Sequence, residues 1–342
     1  MNNPTIKDRV NNYLYEKQLS RFARPFAAYL GQILMFHRIV QPDGGQRLPE
    51  NQLYEVTPQI LRDVIKFYRQ QGFDFISLDE MMDRINGKKS ANRFVSFTFD
   101  DGYTDTLTTA MPVLKEENIP FCMYVTTDFP DRKAMFWWDI LEETLVKHEE
   151  VSFALDDKDY CISTRTLDEK RKAFQTICSL VMKSPVGVSA AWRAVFSLFH
   201  VDYSAYTERL ALSWDQIIEM SRNPLVTIGA HTCSHPPLAG LSEEEARDEM
   251  GKSMEIIRQK IGLDVVHFSY PYGSKLDVTD REARLAARLG FHSAVTTETG
   301  NVYQNHHKKA MLLPRLNVNR DTWRRDLKLA VDGCLAQTLN RS

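Results

Sequence analysis

Phe94-Val95-Ser96-Phe97-Thr98-Phe99-Asp100-Asp101-Gly102-Tyr103 is the stretch that decides how this 342-residue chain reads. An apolar, β-rich run ends abruptly in two adjacent carboxylates and a glycine. Paired aspartates at the end of a buried strand are costly to desolvate unless a cation or proton chemistry uses them. Adjacent side chains at a strand end point different ways, so one carboxylate can bind a metal while its neighbour handles a proton. Further along, His231-Thr232-Cys233-Ser234-His235 follows a second apolar run, Leu225 to Ala230. Histidines four apart converge on one ion if the chain turns helically after the strand. One aspartate with two histidines leaves coordination positions free for water and substrate, the arrangement of a catalytic rather than a closed structural metal site.

Taken together, the two motifs resemble those of the polysaccharide deacetylase (NodB-homology) superfamily of metal-dependent sugar N-deacetylases, over roughly Ile33 to Val318 with a divergent middle. The resemblance implies that Asp100 is the catalytic base. It implies Asp101, His231 and His235 as ligands of a divalent metal, zinc first, with Co2+, Mn2+ or Ni2+ as alternatives. Ser269-Tyr270-Pro271-Tyr272-Gly273 resembles the family's Pro-Tyr-Gly groove motif, which assigns Pro271, Tyr272 and Gly273 to substrate binding. Many members carry an arginine two residues before that proline, where it holds the base; here the position is Ser269. Leu313-Pro314-Arg315-Leu316-Asn317-Val318 supplies Arg315 as the expected replacement. The family's late Leu-x-x-His-type motif, source of an acid histidine, is absent. In the subgroup acting on poly-N-acetylglucosamine that histidine comes from the first strand, and Leu34-Met35-Phe36-His37-Arg38-Ile39 puts His37 there.

Composition excludes several classes. A net charge of -2 with dispersed basic residues argues against a nucleic-acid partner. No window approaches a transmembrane span, and residues 1–30 carry Lys7, Arg9, Glu16, Lys17, Arg21 and Arg24 in place of a signal-like apolar core. Five scattered cysteines (Cys122, Cys161, Cys178, Cys233 and Cys334) without a CxxC pair fit reduced thiols in a cytoplasm. Cys233, between the two histidines, is expected to point away from the metal.

Strand-like runs alternate with helical ones, which indicates a parallel α/β architecture. The resemblance narrows this to a distorted (β/α)7 barrel with catalytic residues at carboxyl strand ends. The expected organisation is an N-terminal helical segment (1–30), the deacetylase-like domain (31–320) and a C-terminal helix and tail (321–342). Residues 5–30 read as one or two amphipathic helices, with Val10, Leu14, Leu19, Phe22 and Phe26 packed on the domain or meeting a membrane surface or second copy. A Pro-Asp-Gly-Gly loop at 42–45 precedes a helix opened by Thr57-Pro58, and Ser242-Glu243-Glu244-Glu245 is a capping box. Between the two metal motifs, a mainly helical insertion at about 130–212 opens with Phe136-Trp137-Trp138-Asp139. It continues through a hairpin and a helix capped by Asp168.

The implied chemistry is hydrolysis of an acetamide. Asp100 accepts a proton from the attacking water, the metal and the backbone N–H near Tyr103 stabilise the oxyanion, and His37 protonates the departing amine. Tyr272, Trp137, Trp138 and Trp214 are the aromatic candidates for a sugar face, and Tyr103, Trp137 and Trp138 join the groove residues as substrate-binding candidates. His306-His307 reads as a solvated loop pair. The expected substrate is an N-acetylated sugar of bacterial polysaccharide or cell-envelope metabolism, met in the cytoplasm as a lipid- or nucleotide-linked precursor. Two alternatives stand beside it: cleavage of another non-peptide C–N bond, such as a cyclic amide, and a catalytically silent carbohydrate-binding module.

Overall fold

Seven apolar runs fold as parallel strands: β1 (Gly31–Phe36), β2 (Phe94–Phe99), β3 (Phe121–Val125), β4 (Val226–Ala230), β5 (His267–Ser269), β6 (Ser293–Thr299) and β7 (Leu313–Asn317). This computed structural model describes residues 5–42, 44–87, 92–199 and 201–334. Asp43 of the 42–45 loop, residues 1–4 of the N-terminal segment and the tail 335–342 lie outside the described residues. Each strand pairs with its sequence neighbour, and the sheet closes where β1 meets both β2 and β7. The β1–β2 seam is the longest, in register from Gly31 with Phe94 to Phe36 with Phe99. The architecture is therefore the expected (β/α)7 barrel. Asp74–Phe75 extends the sheet outside β2.

Helices cover the barrel for the reasons their sequences give. Pro58–Gln70 starts at a Thr57 cap whose hydroxyl accepts from the Ile60 N–H, and it buries Leu61, Val64, Ile65 and Tyr68. Glu243–Ile261 opens on the Ser242 capping box and closes at Gly262, whose φ of 72° suits a glycine C-cap. Between β3 and β4 lie the helices Trp137–Lys147, Leu167–Lys183 and Val188–Phe196 and the hairpin Glu150–Leu155/Lys158–Ser163. They enclose a core of their own around Ile140, Phe153, Ile177, Trp192 and Phe196. The cap of Leu167–Lys183 is Thr166, not Asp168, because the Thr166 hydroxyl reaches the Glu169 N–H and Glu169 answers as a capping box.

Of the two expected placements of the N-terminal helix Ile6–Glu16, packing of its apolar face on the domain is not the one seen. Its apolar side and the turns after it face water: Val10, Leu19, Phe22 and Phe26 are exposed and Leu14 is half-buried, while Asn11 is buried. Polar contacts pin this segment instead. Arg325 of the Trp323–Val331 helix donates to Asn12 Oδ1 at 2.6 Å, and Ser20 donates to Oδ2 of Asp332, the residue that caps that helix, at 2.6 Å.

Candidate active site

β2 delivers Asp100 and Asp101 to the carboxyl end of the barrel, and the backbone then turns sharply, with φ of 70° at Asp101 and 73° at Gly102. The left-handed conformation costs a non-glycine residue about 1–2 kcal/mol, so the packed surroundings enforce it. The consequence is that the two carboxylates separate. Asp100 points into the barrel interior and Asp101 points toward β4.

Asp100 meets Arg315 of β7 in a two-armed pair, Nη1 to Oδ1 at 2.8 Å and Nη2 to Oδ2 at 2.7 Å. Arg315 is 0 % exposed. Its remaining donors reach Thr296 O at 2.9 Å, Thr98 Oγ1 at 3.2 Å and Ser269 Oγ at 3.1 Å. All five guanidinium N–H groups thus find acceptors, the condition a buried cation needs. Ser269, at the position of the family's arginine, joins the same network, its hydroxyl lying 3.4 Å from Asp100 Oδ2. Burial alone raises the Asp100 carboxyl, but the guanidinium outweighs it and holds the group below the usual carboxylate range.

Asp101 faces two imidazoles. His231 Nε2 and His235 Nε2 each lie 3.4 Å from its Oδ1, an atom that is buried and makes no aligned hydrogen bond. The three donor atoms lie within 4.8 Å of one another. His231 gives its Nδ1–H to Ser269 O at 2.7 Å, which leaves the Nε2 lone pair turned toward Asp101. Buried lone pairs converging from one carboxylate and two imidazoles are a donor set that can hold a divalent cation. Burial tends to raise the Asp101 carboxyl, and the imidazoles more than reverse it.

The histidines do not converge through a helical turn, as expected from their spacing. After β4 the chain makes an irregular turn with φ of 65° at Thr232 and 62° at His235, closed by the His235 N–H on Thr232 Oγ1 at 3.1 Å. A residue from the helix that follows, Glu243–Ile261, fixes it. Glu249 accepts the N–H groups of Cys233 and Ser234, both at 2.9 Å, and the Ser234 hydroxyl at 2.8 Å. Sequence reading misses Glu249, since a glutamate in mid-helix looks like any solvated acid. Cys233 supplies no ligand atom to the group.

A cleft of about 630 Å³ opens above these residues, lined among others by His37, Leu53, Tyr54, Trp137, Trp138 and Tyr272. His37 Nε2 lies 4.0 Å from Asp100 Oδ2, and its ring stands edge-on to Tyr54 at 4.7 Å. Burial lowers the His37 pKa, against the opposing pull of Asp101 and Asp100. Tyr272 and Trp138 stand 4.9 Å and 5.3 Å from the His235 ring. Trp137 stacks on Trp192 at 4.3 Å and donates to Tyr272 Oη at 3.2 Å, so the segment between β3 and β4 supplies one wall of the cleft.

Other sequence candidates lie elsewhere. Pro271 and Gly273 do not line the cleft; they build the turn that presents Tyr272, itself at φ 60°. Gly273 has φ 61°, and a Cβ there would stand 2.8 Å from Thr297 N. Tyr103 reaches the cleft wall, but its hydroxyl is engaged by Trp138 Nε1 at 2.6 Å and faces Asp139 at 3.3 Å. Trp214 donates to Asp131 away from the cleft. His306 is half-buried, not solvated, and accepts the Tyr303 N–H on Nδ1 at 3.1 Å. Arg38, beside His37, is held by Asp105 at 3.0 Å and Asp139 at 3.6 Å, with its guanidinium over the Tyr103 ring. No spacing in the sequence links these groups.

The profile of the family described as "Polysaccharide deacetylase" matches residues 87–170 and 187–294. The deacetylase PplD of Streptococcus pyogenes, solved with acetate, superimposes with a TM-score of 0.57 at 18% identity, covering 88% of this chain and 97% of that one. IcaB of Ammonifex degensii gives 0.57 at 18% identity, covering 89% and 97%. A de-N-acetylase of Aggregatibacter actinomycetemcomitans gives 0.54 at 17% identity, covering 87% and 98%. Chitin deacetylase 1 of Cryptococcus neoformans is 37% identical over 70 residues, 20% of this chain and only 14% of that protein. With a profile match over more than half its length, on a barrel shared with solved deacetylases, this chain belongs to the polysaccharide deacetylase family.

Proposed function

We propose that this chain is a metal-dependent hydrolase that removes N-acetyl groups from an N-acetylated sugar. The observation that carries the reading is the convergence of Asp101, His231 and His235 beside the Asp100–Arg315 pair at the floor of an aromatic cleft. Asp101 Oδ1, His231 Nε2 and His235 Nε2 would hold the cation, zinc being the best match to a mixed imidazole and carboxylate set. When bound, it acidifies water and polarises an acetamide carbonyl.

This chain's own residues do the rest. Asp100, kept ionised by Arg315, takes a proton from the attacking water. His37, within 4.0 Å of Asp100, hands a proton to the amine nitrogen as the C–N bond breaks. Burial holds His37 neutral between turnovers, so the proton it delivers is the one Asp100 has collected. The second proton of the water goes with the products, which leave as acetate and the protonated amine. Trp137, Trp138 and Tyr272 offer the flat apolar faces on which a sugar ring stacks.

The substrate is a glycan or its precursor, and five free cysteines support a reducing, cytoplasmic setting for it. The test is metal content of the purified protein together with acetate release from N-acetylglucosamine oligomers, with Asp100→Asn and His235→Ala alongside. Bound divalent metal and acetate release lost in both variants are expected. Metal without acetate release would redirect the reading to another amide, and no metal after reconstitution would leave a carbohydrate-binding scaffold. A deacetylated product found only on extracellular glycan made by exported enzyme would overturn the cytoplasmic setting.

A further inference from the structure

The helix Ile6–Glu16 is inside out. Among its described side chains only Asn11 is fully buried, while Ile6, Val10 and Tyr13, spaced to share one face, are exposed. The chain continues through two short 3-10 turns, Leu19–Phe22 and Arg24–Phe26, which present Leu19, Phe22 and Phe26 to water. Ile6 is 82% exposed, Phe22 62% and Phe26 86%. Isolated exposed apolar side chains need no explanation, but this run gathers nearly half of the large ones exposed among the described residues into one short segment. The segment is nonetheless ordered and anchored, through Arg325, Asp332 and the Tyr29 hydroxyl on Val331 O. An ordered helix whose apolar face is turned outward has that face for a partner.

Charge identifies the partner. Lys7, Arg9, Lys17, Arg21 and Arg24 stand against Asp8 and Glu16 in this segment, in a chain that is net negative. Arg21 lies over the Phe22 ring, so base and aromatic form one amphipathic unit. A second copy docked on this face by a two-fold axis would set these bases against their own counterparts. We propose that the segment from Ile6 to Phe26 is a peripheral membrane anchor that seats its apolar face in the headgroup boundary of an anionic lipid surface. It joins the barrel at the amino end of β1, whereas the catalytic carboxylates sit at the carboxyl end of β2. A seated enzyme therefore keeps its cleft open to solvent. The anchor holds whether or not the deacetylase reading does.

The test is sedimentation of the full-length protein with vesicles of phosphatidylcholine alone and of phosphatidylcholine with phosphatidylglycerol, at low and high salt. Binding to the anionic vesicles, weakened by salt, is expected. The double variants Phe22→Ser/Phe26→Ser and Arg21→Glu/Arg24→Glu should each weaken it about tenfold or more. Arg21, Phe22 and Phe26 are exposed and Arg24 is half-buried, so circular dichroism should stay as in the wild type and the thermal midpoint should move little. Leu276→Ser, at an isolated exposed leucine elsewhere, should leave binding unchanged. No binding to either vesicle, or equal binding to both regardless of charge reversal, overturns the proposal. So does a dimer in light scattering that Phe22→Ser/Phe26→Ser dissolves.

Discussion

Replacing Arg315 by methionine tests the central electrostatic argument. The guanidinium is fully buried and spends all five N–H groups, two of them on Asp100. Methionine fills much of the space but leaves the Asp100 carboxylate, with Thr98 and Ser269, facing no cation. Breaking a buried pair by removing one partner costs about 3–5 kcal/mol. At about 2.1 cal/mol/K per residue, unfolding 342 residues carries about 0.7 kcal/mol/K, so the thermal midpoint should fall by about 4–7 °C. Asp100→Asn in the Arg315→Met background should recover part of that loss, because the amide carries no charge to strand. The assay is calorimetry or circular dichroism of wild type, both single variants and the double variant, read beside acetate release. Activity should vanish in all three variants, since an unpaired Asp100 takes up a proton and ceases to be a base. A midpoint within about 1 °C of wild type for Arg315→Met, or a double variant less stable than Arg315→Met alone, would mean that the guanidinium does not hold the Asp100 charge in place.

Glu249→Ala removes three hydrogen bonds from the His231–His235 turn, and metal affinity should fall about 10–100-fold in a chelator competition, with Glu249→Gln losing less. His37→Gln should lower kcat by about 100- to 10,000-fold with metal content unchanged, and an unchanged kcat would remove His37 from the chemistry. Gly273→Ala forces a Cβ to 2.8 Å from Thr297 N at positive φ, so it should cost at least about 1 kcal/mol in denaturant titrations and raise KM by shifting Tyr272. Burial, helped by Lys309, lowers His306 from 6.5 to about 4. Between those pH values the unfolded chain binds the extra proton, so stability is full above pH 6.5 and falls as pH drops toward 4, by at most about 3 kcal/mol. The difference in stability between wild type and His306→Gln should follow that window, and a flat difference would contradict it.

Much of this protein was legible one element at a time. Apolar runs ending in Asp100-Asp101 and His231-x-x-x-His235 marked strand ends, since a strand's side chains and its terminating polar pair are local facts. The Thr57 and Ser242 caps set helix starts by hydrogen bonds that span three residues. Family likeness added the barrel and the expectation of a metal at Asp101, His231 and His235. Asp168 was misread because Thr166 and Asp168 are both capping residues, and only the backbone geometry chooses between them.

Tertiary structure alone decided the rest. The left-handed turn that parts Asp100 from Asp101 is imposed by packing against an unfavourable backbone preference, which no propensity predicts. Glu249, Arg38 and Asp139 acquire their roles from partners on other elements, and a sequence carries no sign of which acids will be buried and bonded. The N-terminal helix, for which the sequence left two placements open, shows the same dependence. Its sequence shows an apolar face, but whether that face packs inward or outward depends on what the barrel offers it. Here the barrel offers Arg325 and Asp332, so the polar side docks and the apolar side is left to the solvent. Local pattern fixes which elements form and where they end; the pairing of distant side chains, a property of the closed barrel, fixes what each buried charge is for.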